Sequence, residues 1–328
     1  MVSPTARTAV LTWREGDTVR CGVIILPEHR WSRAKEYWRR AEELGFDHAW
    51  TYDHLMWRWL RDAPWYGTIP TLTAAAVATS HMRLGLLVAS PSLRHPVTFA
   101  KDLMTLDDIS GGRLTCGVGA GAGEYDEQVF AGRRLSPAER AGRLAEFLEL
   151  TDLLLRQPVT SYEGVYYQAR DARMNPGCVQ SPRVPFAVAA TGPRGMRLAA
   201  RFATTWVTAG RPGQFDSEPY ERTLGVLRKQ LANVDAACEE AGRDPATLNR
   251  LLVTGAMVGG VMDSAEAFSD AEGRFAELGF SDLAVHWPRD SFPYAGEPAV
   301  LEVISDTILL RRQRTASTRE MTWSATKS

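Results

Sequence analysis

His54 stands in the run Thr51-Tyr52-Asp53-His54-Leu55-Met56-Trp57, directly after a short apolar segment. Histidine titrates near neutrality and can give or take a proton beside a reacting centre. A loop histidine bonded to Asp53 for structural reasons is the plainer alternative, and an Asp at a strand-to-loop junction often only caps a turn. Two further stretches bear on ligands. Gly119, Ala120, Gly121 and Gly123 form a glycine-rich run that a ligand can approach closely. The segment after it, EYDEQVFAGRRLSP, is not the apolar helix that a dinucleotide fingerprint opens, so the run reads as a cofactor contact or as a tight turn. Thr191-Gly192-Pro193-Arg194-Gly195 precedes MRLAARFA and places a proline at the first helical position. Free N–H groups at a helix start beside a cation are an arrangement that binds phosphate, whereas a solvated Arg194 on an ordinary turn would bind nothing. Trp57, Trp206 and Trp287 lie near these loops, as do Trp59, Trp65 and Tyr66, and such rings can wall a planar ligand or simply fill the core. The chain has no HExxH, no spaced His/Cys/Asp cluster and no GxSxG, which leaves metal-assisted hydrolysis and serine acyl transfer without support; no metal is expected.

The elements that must hold these residues can be read from periodicity. Arg83 to Val118 reads as strand, loop, helix and strand with almost nothing spare: RLGLLVAS is an apolar run of strand length, Pro96 opens a helix and Gly111-Gly112 closes it. The same alternation predicts strands over 21–26, 48–52, 83–88, 114–118, 186–190, 204–208, 251–258 and 283–286. Helices are predicted over 32–44, 70–80, 96–110, 136–156, 193–202, 217–241, 263–278 and 297–311. Eight βα units without a composition break point to a (β/α)8 barrel, with a doubly wound open sheet as the rival. Residues 159–185 break the alternation and read as a hairpin inserted between the fourth helix and the fifth strand. Active sites of this barrel lie on the loops after the strands, where His54, Gly119–Gly121 and Thr191–Arg194 fall.

Composition narrows the class. The 328 residues carry 45% hydrophobic residues and a formal net charge of -1, enough to bury a large core and no reason to propose nucleic acid or a membrane surface as a partner. The four cysteines are scattered, so a reduced cytoplasmic setting is the simplest reading. No segment has the apolar length of a membrane helix, and the start lacks the apolar core of a signal peptide. The expected organisation is an extension over 1–19, one barrel over 20–311 and a flexible tail over 312–328.

Four segments in this order, AEELGFDHAWTYDHL, TLTAAAVATSHMRLGLLVASPSLRHP, LDDISGGRLTCGVGAG and VPFAVAATGPRGMRLAARFA, resemble the bacterial-luciferase-like superfamily of flavin- and coenzyme F420-dependent oxidoreductases, over about Cys21 to Leu309. The resemblance implies a (β/α)8 barrel, usually homodimeric, that holds F420 or FMN at the carboxyl ends of its strands. It makes His54 a proton donor or acceptor near the ring, with Asp53 beside it. It matches Leu87-Val88 to a non-prolyl cis peptide against the ring, Gly119, Ala120 and Gly121 to the loop along the cofactor side chain, and Thr191, Gly192, Pro193 and Arg194 to the phosphate site. Trp57, Trp206 and Trp287 are the expected pocket walls. Two departures stand out. Ala203-Thr204-Thr205-Trp206 replaces the common Ala-Asp-Gly-Trp, and Ala122 follows Gly121 where sugar-phosphate dehydrogenases of the family carry an acid, with Glu124 two residues late. The activity implied first is hydride transfer from reduced F420 to a polarised C=C or C=N bond of a metabolite or peptide-derived substrate. An FMN-dependent monooxygenase served by a separate flavin reductase is the second, and a catalytically silent flavin binder the third.

Overall fold

The structure, a computed structural model, describes residues 19–121, 126–130, 132–211, 219–255 and 258–306. Eight parallel strands close into a barrel: β1 (Arg20–Ile24), β2 (His48–Tyr52), β3 (Arg83–Ala89), β4 (Leu114–Val118), β7 (Phe186–Ala189), β8 (Thr205–Thr208), β9 (Asn249–Val253) and β10 (Asp282–His286). They neighbour one another in chain order and β10 returns to β1, pairing Arg20 with Asp282 through Ile24 with His286. Between them run α1 (Trp31–Glu43), α2 (Thr68–Ala78), α3 (Pro96–Ile109), a short α4 (Asp126–Val129), α5 (Pro137–Arg156), α6 (Pro193–Phe202), α7 (Tyr220–Glu240) and α8 (Ala265–Glu277). A last helical stretch is described over 299–306, and the rest of the helix predicted to 311 lies outside the described residues, as do 1–18 and 312–328. No described helix is long and apolar enough to cross a membrane.

Strand alternation sorts the core into two layers. Ile24, Trp50, Tyr52, Leu87, Ala187, Val207, Leu251 and Ala284 point into the barrel. Their neighbours Val23, Ala49, Leu86, Val188, Trp206, Leu252 and Val285 point out and pack under the helices. A Cβ at Gly22 or Gly85 would collide with the His48 or Trp50 ring, so glycine at these two positions makes room for bulky residues from the next strand. At the amino-terminal end of the barrel, Arg20 donates twice to Asp282 at 2.7 Å and His48 Nε2 lies 3.3 Å from the same carboxylate. This end holds the barrel shut; the opposite end carries the loops.

The insertion forms an antiparallel pair of β5 (Val159–Glu163) and β6 (Gln168–Arg173), separate from the barrel. It is tied to α5 by the Glu146 carboxylate, which accepts the backbone N–H groups of Val165 and Tyr166 at 2.9 and 2.8 Å. One strand is shorter than its apolar run predicts. β9 ends at Val253 because Gly255 turns at φ +117° and donates its N–H to the Val258 carbonyl, so Val258 lies outside the sheet. Helix α4 had no apolar periodicity to announce it.

Candidate functional site

A cleft of about 660 Å³ opens at the carboxyl ends of the strands. It is lined by Tyr52, His54 and Trp57 after β2, Leu87, Val88 and Ser90 at β3, and Gly119–Gly121 after β4. Ala189–Gly195 at β7 and α6, Val207–Ala209 at the end of β8, Val253, Leu144 of α5, Leu198 of α6 and Arg58 also line it. The β3–β4 pairing shifts register between Leu86 and Ala89, and within that shift both Leu87 and Val88 face the cleft although strand neighbours normally face opposite ways. The Leu87-Val88 peptide is cis. A Cβ on Gly119 would stand 2.6 Å from Val88 Cγ2, so only glycine leaves this wall open. Gly121 turns at φ +79°, and a Cβ there would meet Ser90 Oγ at 2.5 Å. Gly123, Ala122 and Glu124 lie outside the described residues.

His54 is held from three sides. Its Nδ1 lies 2.6 Å from Asp126 Oδ2, its backbone carbonyl accepts Trp65 Nε1–H at 2.9 Å, and its ring tilts against Trp57 with centroids 4.8 Å apart. Asp126 Oδ1 also accepts the Leu55 N–H at 2.8 Å, so the carboxylate grips both ring and backbone. A carboxylate only accepts, so Nδ1 carries the hydrogen and Nε2 is the basic nitrogen of the neutral ring. The pair can therefore exchange a proton at Nε2 while Asp126 stabilises the imidazolium. Sequence reasoning missed Asp126, which lies 72 residues away on α4. The acidic run EYDE was its only local signal, and nothing in that run tells which carboxylate turns back to His54.

The far end of the cleft is the start of α6. Gly192 is its N-cap with extended backbone, no side chain caps the first turn, and Thr191, Gly192, Pro193 and Arg194 are all exposed. Uncapped N–H groups beside a guanidinium are what an anion needs.

Three expected site residues lie elsewhere. Asp53 is buried and receives Arg94 Nε and Nη2 at 2.8 and 2.6 Å, a bidentate pair that braces the loop after β3 outside the cleft lining. Trp206 is wholly buried under the helices, stacked on Phe280, and donates to the Ala190 carbonyl at 2.8 Å. Alternation requires this: Val207 lines the cleft, so residue 206 must face outward. Trp287 stacks on Tyr37 of α1 at 4.9 Å, on the outer side of the barrel mouth. Of the three expected walls, Trp57 alone lines the cleft.

A second set of polar groups, which no sequence pattern announced, sits behind the cleft. The Tyr52 hydroxyl lies 2.7 Å from His286 Nε2, and the His286 ring stacks face to face on Tyr294 at 3.5 Å. Burial pushes the His286 pKa down to about 3, and burial with Tyr294 nearby raises that of Tyr52 well above the usual phenol value. Both rings are thus neutral across the physiological range. Among the described residues no group of three or more His, Cys, Asp or Glu is placed to hold a metal ion.

The chain resembles proteins of known name over this same architecture. It is 31% identical over 321 residues to an F420-dependent glucose-6-phosphate dehydrogenase of Beutenbergia cavernae, with 83% of this chain and 90% of the relative covered. It is 29% identical over 209 residues to a 5,10-methylenetetrahydromethanopterin reductase of Methanopyrus kandleri; that match spans 60% of this chain but only 58% of the relative. Among solved structures, an F420-dependent secondary alcohol dehydrogenase in complex with an F420-acetone adduct superposes with a TM-score of 0.73 at 17% identity, covering 88% of this chain and 98% of that one, which speaks for the fold alone. The family model of luciferase-like monooxygenases matches residues 18–288, from the start of β1 to just past β10, and the chain belongs to that family of oxidoreductases.

Proposed function

We propose that the protein is a coenzyme F420-dependent oxidoreductase that reduces a polarised C=C or C=N bond of a small or peptide-derived substrate. The observation that carries this reading is the Asp126-held His54 at one end of an apolar cleft whose other end is an uncapped helix start. The cleft fits the group: Leu87, Val88, Leu144, Leu198, Val207 and Val253 offer apolar faces for a fused ring, Gly119 keeps the wall open, and the α6 N–H groups with Arg194 suit a phosphate. When bound in its reduced form, F420 supplies a hydride. His54 takes up a proton at Nε2, Asp126 stabilises the imidazolium, and the proton passes to the atom of the double bond that does not receive the hydride. Leu87, Val88 and Trp57 keep water from the reacting atoms. The names of F420-dependent curated relatives support F420, while the family description admits a monooxygenase.

The deciding experiment is an anaerobic titration with F420 and FMN in parallel, followed by single turnover against unsaturated acceptors. Tighter binding of F420 and acceptor-linked oxidation of its reduced form without oxygen are expected. Tight FMN binding with product formed only when oxygen is admitted would establish the monooxygenase, and binding without turnover the silent carrier.

A further inference from the structure

Beside the cleft, at the same end of the barrel, lies a second cavity of about 310 Å³, at the lower edge of the range of roughly 300–1,000 Å³ for small-molecule sites. Its walls come from the loop after β2 (Trp59), the loop after β9 (Thr254, Gly255 and 258–263) and the segment after β10 (Pro288 and 292–296). Trp59 meets Phe292 nearly edge to face at 4.9 Å, and Tyr294 stacks on His286. The partition between the two cavities is Tyr52: its ring lines the cleft and its hydroxyl reaches His286, which lines the second cavity. At the rim the two spaces are joined by one loop, since Trp57 lines the first, Trp59 lines the second, and their rings touch at right angles with centroids 6.5 Å apart.

The chemistry of the second cavity is uniform. Its lining residues include no lysine or arginine; the ionisable ones are His286 and Tyr294, both neutral at physiological pH, and Asp263 at the exposed edge. Nearby Arg289 is taken by Glu28 in a two-point pair at 2.7 and 2.8 Å, and Arg58 lies over Trp57 on the cleft side. A phosphate or carboxylate here would be desolvated among lining residues that offer it no lysine or arginine. Phe292 is 65% exposed and Trp59 39% exposed, a large apolar area to leave in water on a loop unless something covers it.

We propose that this second cavity is the subsite for an uncharged, ring-containing part of the substrate, whose reducible bond lies across the Trp57–Trp59 edge beside His54. The placement of the reducible bond rests on the proposed F420-dependent reduction in the cleft; the subsite itself does not. It excludes substrates that are phosphorylated or carboxylated at the end remote from the reaction.

The test uses the full-length protein with 2-naphthol as an uncharged fused-ring probe, 2-naphthyl phosphate as its charged counterpart, and F420 bound separately. Saturable binding of 2-naphthol is expected with F420 present or absent, with the phosphate ester weaker by about tenfold or more. Phe292→Ala, at an exposed position that does not threaten folding, should weaken naphthol binding about fivefold through loss of one aromatic wall. A Cβ at Gly296 would stand in ordinary contact with Pro288 at 3.5 Å, so Gly296→Leu is expected to fold, which a thermal melt checks, and, by filling the space, should weaken it about tenfold or more, with the F420 dissociation constant within about twofold of the parent for both variants. No saturable binding, binding indifferent to both substitutions, displacement of naphthol by F420, or equal binding of the phosphate ester would each overturn the subsite. Failure of F420 to bind while naphthol binding still responds to the variants would remove the cofactor reading and leave the subsite standing.

Discussion

His54 gains its chemical meaning from Asp126. An imidazole alone on a loop can flip and carry its hydrogen on either nitrogen; a carboxylate 2.6 Å from Nδ1 selects one tautomer and one orientation. His54→Ala is expected to lower turnover by about 10²–10⁴-fold with cofactor affinity nearly unchanged, because the imidazole transfers a proton and its loss spares the phosphate end of the cleft. Asp126→Asn keeps the shape, removes the charge and lets Nδ1 lose its hydrogen. Turnover should fall about 10–100-fold, because the imidazolium formed on proton uptake loses the carboxylate that orients and stabilises it. Unchanged turnover in His54→Ala would return that residue to a loop role, and unchanged turnover in Asp126→Asn would show that the carboxylate merely holds the backbone of Leu55. Asp53, beside the histidine in sequence, has no such part: its bidentate grip on Arg94 points it away from the cleft.

At the scale of elements, the phosphate end depends on α6. A helix of ten residues whose first turn no side chain caps offers N–H groups and the positive end of its dipole to a ligand. Arg194→Ala should weaken binding of a phosphate-bearing cofactor by about 1 kcal/mol, roughly fivefold, the lower end for a charged hydrogen bond because the guanidinium is exposed. Calorimetry with F420 and with a phosphate-free ring analogue separates the outcomes: an equal loss for both would place Arg194 against the ring instead. The alternation of strands decides a second point at this scale. Trp206 and Val207 cannot both face the barrel, and Val207 does.

For the whole molecule, closure is the central fact, since β1 and β10 stand at opposite ends of the chain and pair along five residues. The Asp282 carboxylate that spans this seam is buried; burial opposes its charge, but hydrogen bonds from His48 and Arg20 overcome that and hold its pKa well below the usual carboxylate range. A depressed carboxylate contributes stability in full above its unfolded value of about 3.9, and the contribution is lost as pH falls below that toward the folded value, because the unfolded chain then binds the proton first. Asp282→Asn should cost about 3 kcal/mol or more at neutral pH, as expected for removing one partner of a buried pair, and should flatten the loss of stability below about pH 4. Urea denaturation at pH 7 and pH 3.5 reads both effects; an undiminished acid slope would assign it to other carboxylates. We also expect residues 20–311 to unfold as one unit, because the seam joins the first strand to the last. Limited proteolysis should leave a core containing both β1 and β10, with nicks tolerated in 159–185. Two stable fragments that part on dilution would refute it.

Much of this molecule is written locally in its chain. Apolar runs of strand length, helix starts at Pro96 and Pro193, and stops at Gly45, Gly111 and Gly279 are signals read within a few residues, so eight βα units, the hairpin and the loops bearing His54, Gly119 and Arg194 were legible in the residues alone. What no local pattern carries is which side chains meet across the mouth of a closed barrel. Asp126 reaches His54 from 72 residues away, Tyr52 reaches His286 from 234, and Trp206 and Trp287 turn from the cleft because of the strand phase and the packing of α1. Such encounters depend on barrel closure and on which face each strand position presents, and these exist only once all eight strands have paired.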